Sequence, residues 1–137
     1  MPAMDVEALQ HLLAQVDAPY SVDDVVDRGV RLRLAASNAH IRPGGTISGP
    51  ALMALADGTA WVVVLSQIGP AVAAVSTSLH VDFLRKPEPV DVVADGDVLR
   101  MGKSLAVIEV SIRSAETEVL VAKAQVTYAI PPDPPAT

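Results

Sequence analysis

The chain has no cysteine, one tryptophan, one phenylalanine and two tyrosines, so aromatics make up only 3% of its 137 residues. Without thiols there is no disulfide framework, no Cys-ligated zinc and no cysteine nucleophile. The histidines, His11, His40 and His80, are scattered without metal-ligand spacing, so no metal is expected. Basic residues are also scarce. Ten Lys and Arg stand against sixteen Asp and Glu, for a formal net charge of −6. That balance opposes binding to a nucleic-acid backbone, and no nucleic-acid partner is expected. The N-terminal MPAMDVEALQ has no basic stretch leading into an apolar run, so no signal peptide is read there. The most apolar stretch, Pro50 to Leu65, is interrupted by Asp57 and followed by Gly69-Pro70. Its uninterrupted part is too short to span a bilayer, and a soluble cytoplasmic protein without a membrane partner is expected.

What the chain does have is aliphatic mass. Half of the residues are hydrophobic, which excludes a disordered chain. The length sets one domain over residues 1–137. The apolar excess has two destinations, a large core or a surface shared between subunits.

Along the chain, Met4 to Val16 reads as an amphipathic helix, capped by Asp5, with Leu9, Leu12, Leu13 and Val16 at helical spacing. Val25 to Ala35 alternates, with Val30, Leu32 and Leu34 on one face and Arg31 and Arg33 on the other, as in a half-buried strand. Ser37 to Ile47 is a loop. Ser48-Gly49-Pro50 then opens a long helix, where Pro suits the first turn and Ser48 or Gly49 the cap. From Ala51 to Leu65 that helix is apolar on nearly every face, the pattern of a buried helix. Four strand-like blocks follow: Val72 to Leu84, Val90 to Leu99, Ser104 to Arg113 and Val119 to Ile130. Their short connections favour antiparallel hairpins. The expected class is α+β, with a sheet of about five strands curled around one long helix. Residues 131–137, rich in proline, read as a flexible tail.

Asp57 stands out in this pattern. Apart from His80 it is the only ionisable residue between Pro50 and Val81. An unpaired carboxylate there costs several kcal/mol, roughly, unless it meets solvent, a partner or a ligand. One reading is a buried Asp hydrogen-bonded to backbone or to Thr59. The other is a carboxylate facing a cleft, working as base or nucleophile. Gly49, at the helix N-terminus, offers a free N–H suited to a developing oxyanion. Eight residues separate Gly49 from Asp57, about 12 Å at the helical rise. A two-fold dimer brings the helix start of one chain to the Asp57 of the other.

The segment RPGGTISGPALMALADGTAW, followed by VSTSLHVDFLRKP, resembles the hotdog-fold acyl-CoA thioesterases of the phenylacetate-pathway and 4-hydroxybenzoyl-CoA type. The resemblance runs from about Val25 to Ile130. It implies a hotdog fold, an acyl-CoA substrate and a site between two subunits of a homodimer or dimer of dimers. No cofactor is implied, coenzyme A entering only as part of the substrate. In Leu55-Ala56-Asp57, Asp57 falls on the family's catalytic Asp. Gly49 falls on the Gly whose N–H polarises the thioester carbonyl, and Ser76 near a Ser that holds the attacking water. Arg85 falls where a basic residue meets the coenzyme A phosphates. Arg42, Lys86 and Lys103 are further candidates for that contact, and Ser48 for the substrate site. Three positions depart from the family pattern: Arg42 replaces an Asn, Ser48 a His and Pro50 a second Gly.

Other motifs carry less. Gly102-Lys103-Ser104 lacks the P-loop spacing to Gly96 and a following helix, so it reads as a turn. Ser76, Ser78, His80 and Asp82 alternate as the wet face of one strand, too widely spaced for a triad. Trp61 reads as core. The leading expectation is hydrolysis of an acyl-CoA to free acid and coenzyme A. The alternatives are a hotdog protein that binds an acyl-CoA or other apolar ligand without turnover, and a hydratase or dehydratase.

Overall fold

The computed structural model describes residues 2–39, 41–71 and 73–132. His40, the Val72 that was to open a strand, and the tail from residue 133 onward lie outside the described residues.

Helix α1 spans Val6–Gln15, with the Asp5 side chain accepting from the Ala8 N–H at 2.8 Å. Leu9 and Leu13 are its buried face, one helical turn apart. Strands β1 (Tyr20–Val26) and β2 (Gly29–Leu34) follow as a hairpin. The strand expected from Val25 to Ala35 is thus split: Val25 and Val26 end β1, and Gly29–Leu34 forms the second arm of the pair. Its partner Tyr-Ser-Val-Asp-Asp-Val-Val alternates poorly because it is an exposed edge with its charges outward. The sheet accordingly has six strands rather than about five.

Helix α2 spans Gly49–Ile68. Ser48 caps it, accepting from the Ala51 N–H at 3.1 Å, and Pro50 sits in its first turn. The β-branched run Val62-Val63-Val64 is fully buried and helical, because packing outweighs its strand propensity. At 20 residues α2 is long and apolar enough to cross a membrane, with a mean hydropathy of 1.5 over its most apolar window. Here it is the core helix, and most of that window is buried.

Strands β3 (Val75–Phe83), β4 (Val92–Met101), β5 (Leu105–Ser114) and β6 (Leu120–Ala129) complete one antiparallel sheet in the order β1-β2-β4-β5-β6-β3. The chain leaves β2 near one edge, runs through α2, and enters the opposite edge as β3. The sheet curls around α2, which touches β2, β3, β4, β5 and β6. Val30 and Leu32 from β2, Ala94 from β4, Ile108 and Ile112 from β5, and Val126 from β6 fill the interior with α2. Gly96 marks a close crossing of β4 and α2, since a Cβ there would come within 2.7 Å of Val63.

The outer face of the sheet is a charge ladder. Arg31 pairs bidentately with Asp95 at 2.7 and 2.9 Å, Arg33 bridges Asp23 and Asp91, and Lys123 meets Glu109 at 2.6 Å. Besides the β1 edge, two parts of the described structure stay uncovered. One is β3, which pairs only with β6 and has seven of its nine residues exposed. The other is a stripe of α2 at helical spacing: Pro50, Met53 and Ala54 are exposed, and Asp57, Gly58 and Trp61 are half-buried. The helix is therefore apolar all round but buried on only part of its circumference.

Candidate active site

The mouth of α2 is built by three segments. After β2 the chain forms a tight loop, with Ile41 bridged to Ile47 and the Arg42 N–H donating to the Thr46 carbonyl at 2.7 Å. Gly44 and Gly45 make that turn at φ +103 and +86, a region that favours glycine. The Ile47 N–H donates to the Pro87 carbonyl at 3.2 Å, tying the loop to the segment after β3. Between them lies a cavity of about 570 Å³ whose walls include Arg42, Ile47, Gly49, Phe83, Arg85 and Lys86.

Within this cavity the Gly49 N–H is the free donor of the helix terminus. Ser48 uses the N–H groups of Ala51 and Leu52 for capping, and Pro50 has none. Gly49 is half-buried and makes no hydrogen bond through its N–H among the described residues. The helix dipole adds partial positive charge at the same point. Arg42, Arg85 and Lys86 are exposed and have no ion-pair partner among the described residues. Arg31, Arg33 and Lys123 on the sheet, in contrast, are neutralised. An acidic protein thus carries three unpaired cations at this mouth, with Glu88 beside Arg85 and Lys86 in the adjoining groove, a net positive setting suited to an anion. Ser48 itself is buried at 2% exposure, and its hydroxyl is committed to the cap.

Two turns further along α2, Asp57 lies between the only two tyrosines of the chain. The Tyr128 hydroxyl donates to Asp57 Oδ1 at 2.7 Å and lies 3.1 Å from the Asp57 carbonyl oxygen. Thr59 is not the partner of Asp57; its hydroxyl donates to the Leu55 carbonyl at 2.7 Å. Tyr20, from the start of β1, brings the hydroxyl end of its ring against Gly58, where any Cβ would overlap it. Burial, and then the Asp57 charge, push the Tyr20 hydroxyl above its ordinary pKa. Tyr128 is raised further, first by burial and next by its hydrogen bond to Asp57. Both phenols therefore stay protonated and can serve as donors.

Ser76 reaches this group through a β-bulge. It stands opposite Tyr128 in the β3–β6 ladder, and the register shifts between Ser76 and Ser78. Paired residues share a face, and Tyr128 faces α2. Ser76 is therefore on the helix side, within hydrogen-bonding reach of the Tyr128 hydroxyl. Beyond the bulge Ser78, His80 and Asp82 pair with Thr127, Gln125 and Lys123 on the outer face. The expectation that Ser76, Ser78, His80 and Asp82 share one face is thus corrected: one extra residue, Thr77, turns Ser76 to the opposite side. His80 Nε2 lies 3.1 Å from Asp82 Oδ2, far from any role beside Asp57.

Lys103 sits in the turn between β4 and β5, whose neighbour Ser104 accepts from the Ile130 N–H. Arg85 lies at the other end of the sheet, beside Val121. A ten-residue strand separates the two ends, about 30 Å at the strand rise. One chain therefore gathers Arg42, Arg85 and Lys86 but leaves Lys103 apart. Tyr20 and Tyr128 were missed in the sequence. The available signal was their rarity, together with the small Gly58 directly after the carboxylate.

A curled antiparallel sheet around one helix, with a carboxylate on the open stripe of that helix, defines a hotdog-fold protein. Residues 44–128 match the model of the thioesterase superfamily, and the chain belongs to that family. A proposed thioesterase of Silicibacter sp. TM1040 is 34% identical, with a TM-score of 0.86 over 96% of this chain and 95% of that one. Zebra fish thioesterase superfamily member 2 is 17% identical, with a TM-score of 0.83 over 94% of this chain and 100% of that one. A hypothetical thioesterase of Streptococcus pneumoniae TIGR4, solved with coenzyme A, is 21% identical; its TM-score is 0.71 over 82% and 85% of the two chains. The comparison with curated proteins gives no match.

Proposed function

We propose that the protein hydrolyses an acyl-CoA thioester at a site shared by two copies of the chain. The observation that carries this reading is the division of the chemistry along α2. The oxyanion donor and the cations stand at its N-terminus, and the carboxylate stands two turns away on an uncovered apolar stripe. A second copy seated on that stripe and on the open edge of β3 supplies the missing half of each site. It also removes Met53, Val75, Phe83 and Leu84 from water, all of them at least 40% exposed in the single chain.

In this reading the coenzyme A phosphates rest against Arg42, Arg85 and Lys86, and the thioester carbonyl accepts from the Gly49 N–H. The coenzyme A bound to the Streptococcus pneumoniae relative supports that class of ligand. The partner's Asp57 takes a proton from water as the water oxygen attacks the carbonyl carbon. The resulting oxyanion is stabilised by Gly49 and the helix dipole. Collapse breaks the C–S bond, and the proton passes from Asp57 to the departing sulfur. In the direct route, Asp57 itself attacks, the thiolate leaves, and water opens the resulting anhydride. Both routes use the same groups.

Release of thiol from a panel of acyl-CoAs, with wild type and Asp57→Ala, tests the reading. A loss of at least about 100-fold in kcat is expected for the variant. Equal rates for the two proteins remove Asp57 from the chemistry. The capture of Ser48 by the helix cap, and Pro50 in place of an N–H donor, favour a second reading: ligand binding without turnover. Tight acyl-CoA binding with no thiol release across the panel would establish it.

A further inference from the structure

We propose that Tyr128 is the positioning residue of Asp57, holding the carboxylate by one oxygen so that the other is left for the reacting water or thioester. The inference rests on the proposed thioesterase reading and adds to it a residue that the sequence did not mark.

The Tyr128 hydroxyl is 2.7 Å from Asp57 Oδ1 and 3.1 Å from the carbonyl oxygen of the same residue. One hydroxyl therefore meets both the side chain and the main chain of Asp57, which ties the side-chain rotamer to the helix backbone. Asp57 Oδ2 has no hydrogen-bond partner among the described residues. The carboxylate is thus asymmetric, with one oxygen fastened and one free.

The fastening is rigid because Tyr128 is itself held. It is 5% exposed, and on β6 it lies between Ser76 of β3 and Ala106 of β5 in register. Ser76 lies within reach of the Tyr128 oxygen. The resulting chain is Ser76, Tyr128, Asp57. Burial and the Asp57 charge keep the phenol protonated, so it acts as a donor and does not compete as a base. A carboxylate on the open stripe of a helix, without this tether, would rotate among rotamers and lose its alignment with the thioester. Misplacement by about 1 Å costs on the order of 100-fold in rate.

Tyr128→Phe keeps the ring in the core and deletes the donor. Steady-state thiol release should show kcat falling about 10- to 100-fold with KM within about twofold of wild type. Binding of a non-hydrolysable thioether analogue of the same acyl-CoA, measured by calorimetry, should be unchanged within about twofold and report the fraction of folded sites. Ser76→Ala, one bond further away, should cost less than Tyr128→Phe. A fall in kcat of less than about fivefold in Tyr128→Phe, or analogue binding that weakens in step with kcat, overturns the proposal. Asp57→Asn separates the positioning role of Tyr128 from the catalytic role of Asp57. If it is inactive while Tyr128→Phe is normal, only the positioning role fails. If Asp57→Asn is as active as wild type, the catalytic reading of Asp57 fails first.

Discussion

Gly49 and Asp57 stand on one helix eight residues apart, about 12 Å along its axis, and a single carbonyl cannot reach both. If two chains build each site, two crippled chains can repair one another. Gly49→Pro removes the N–H with little steric cost. Ser48 is already extended at φ −68, ψ 150, and a Cβ at position 49 would lie 3.7 Å from Phe83. Each of Gly49→Pro and Asp57→Ala alone should be nearly inactive. After subunit exchange, half of the dimers are mixed and each mixed dimer has one intact site, so roughly a quarter of wild-type activity should return. No recovery would mean that the site lies within one chain.

The open stripe of α2 predicts where the partner sits. Met53 is 40% exposed, so Met53→Glu places no charge in the core. Wild type should sediment as a dimer or larger at micromolar concentration. Met53→Glu should shift toward monomer and lose activity in proportion, with secondary structure retained by circular dichroism. A wild-type monomer would count against the shared site.

The cationic mouth predicts a salt-dependent KM. Reversing charge in Arg42→Glu or Arg85→Glu should raise KM for acyl-CoA roughly 3- to 10-fold and leave kcat nearly intact. Added salt should narrow the gap between variant and wild type, because screening acts on exposed charges. Variants with a KM equal to wild type at low ionic strength would place the phosphates elsewhere.

Gly58 predicts a reversal of sign. In an ordinary helix Gly→Ala stabilises by about 0.8–1 kcal/mol. Here the added Cβ meets the Tyr20 ring, and overpacking of this kind costs about 1–3 kcal/mol. Gly58→Ala should therefore lower Tm in wild type but raise it in a Tyr20→Ala background. The same sign in both backgrounds would show that the ring does not rest on Gly58.

Asp97 predicts a pH effect on stability. Burial raises its pKa in the folded chain above the ordinary 3.8, and Asp95 and Glu109 add to the shift. The folded state then holds its proton more tightly than the unfolded state. Stability therefore declines as pH climbs from about 3.8 through the raised value. Asp97→Asn lacks this penalty. Its Tm should exceed wild type by roughly 1–2 °C at pH 7, a small gain because solvent screens the exposed site. The difference should vanish below pH 3.8; a gap that persists unchanged at all pH values would assign it to packing.

Local features were legible in the sequence because local forces produce them. Asp5 and Ser48 cap their helices through the residues three positions on. The alternation of Val30, Leu32 and Leu34 with Arg31 and Arg33 gives the buried and charged faces of β2. Strand β1 escaped because an exposed edge need not alternate. Ser76 was found but put on the wrong face, since a one-residue bulge reverses every side chain beyond it. Such a bulge is set by pairing with β6 some fifty residues away, and short-range pattern cannot show it.

Sequence alone determined that one apolar helix lies at the centre, that Asp57 interrupts it and that Gly49 begins it. Those facts follow from composition, capping and the expense of an unpaired carboxylate among aliphatic side chains. Tertiary structure decided the rest: which face of that helix stays open, which cations share the mouth with Gly49, and which residue holds Asp57. Tyr128 reaches Asp57 across 71 positions. That contact exists only because the curled sheet carries β6 across α2, an outcome of the whole chain packing at once.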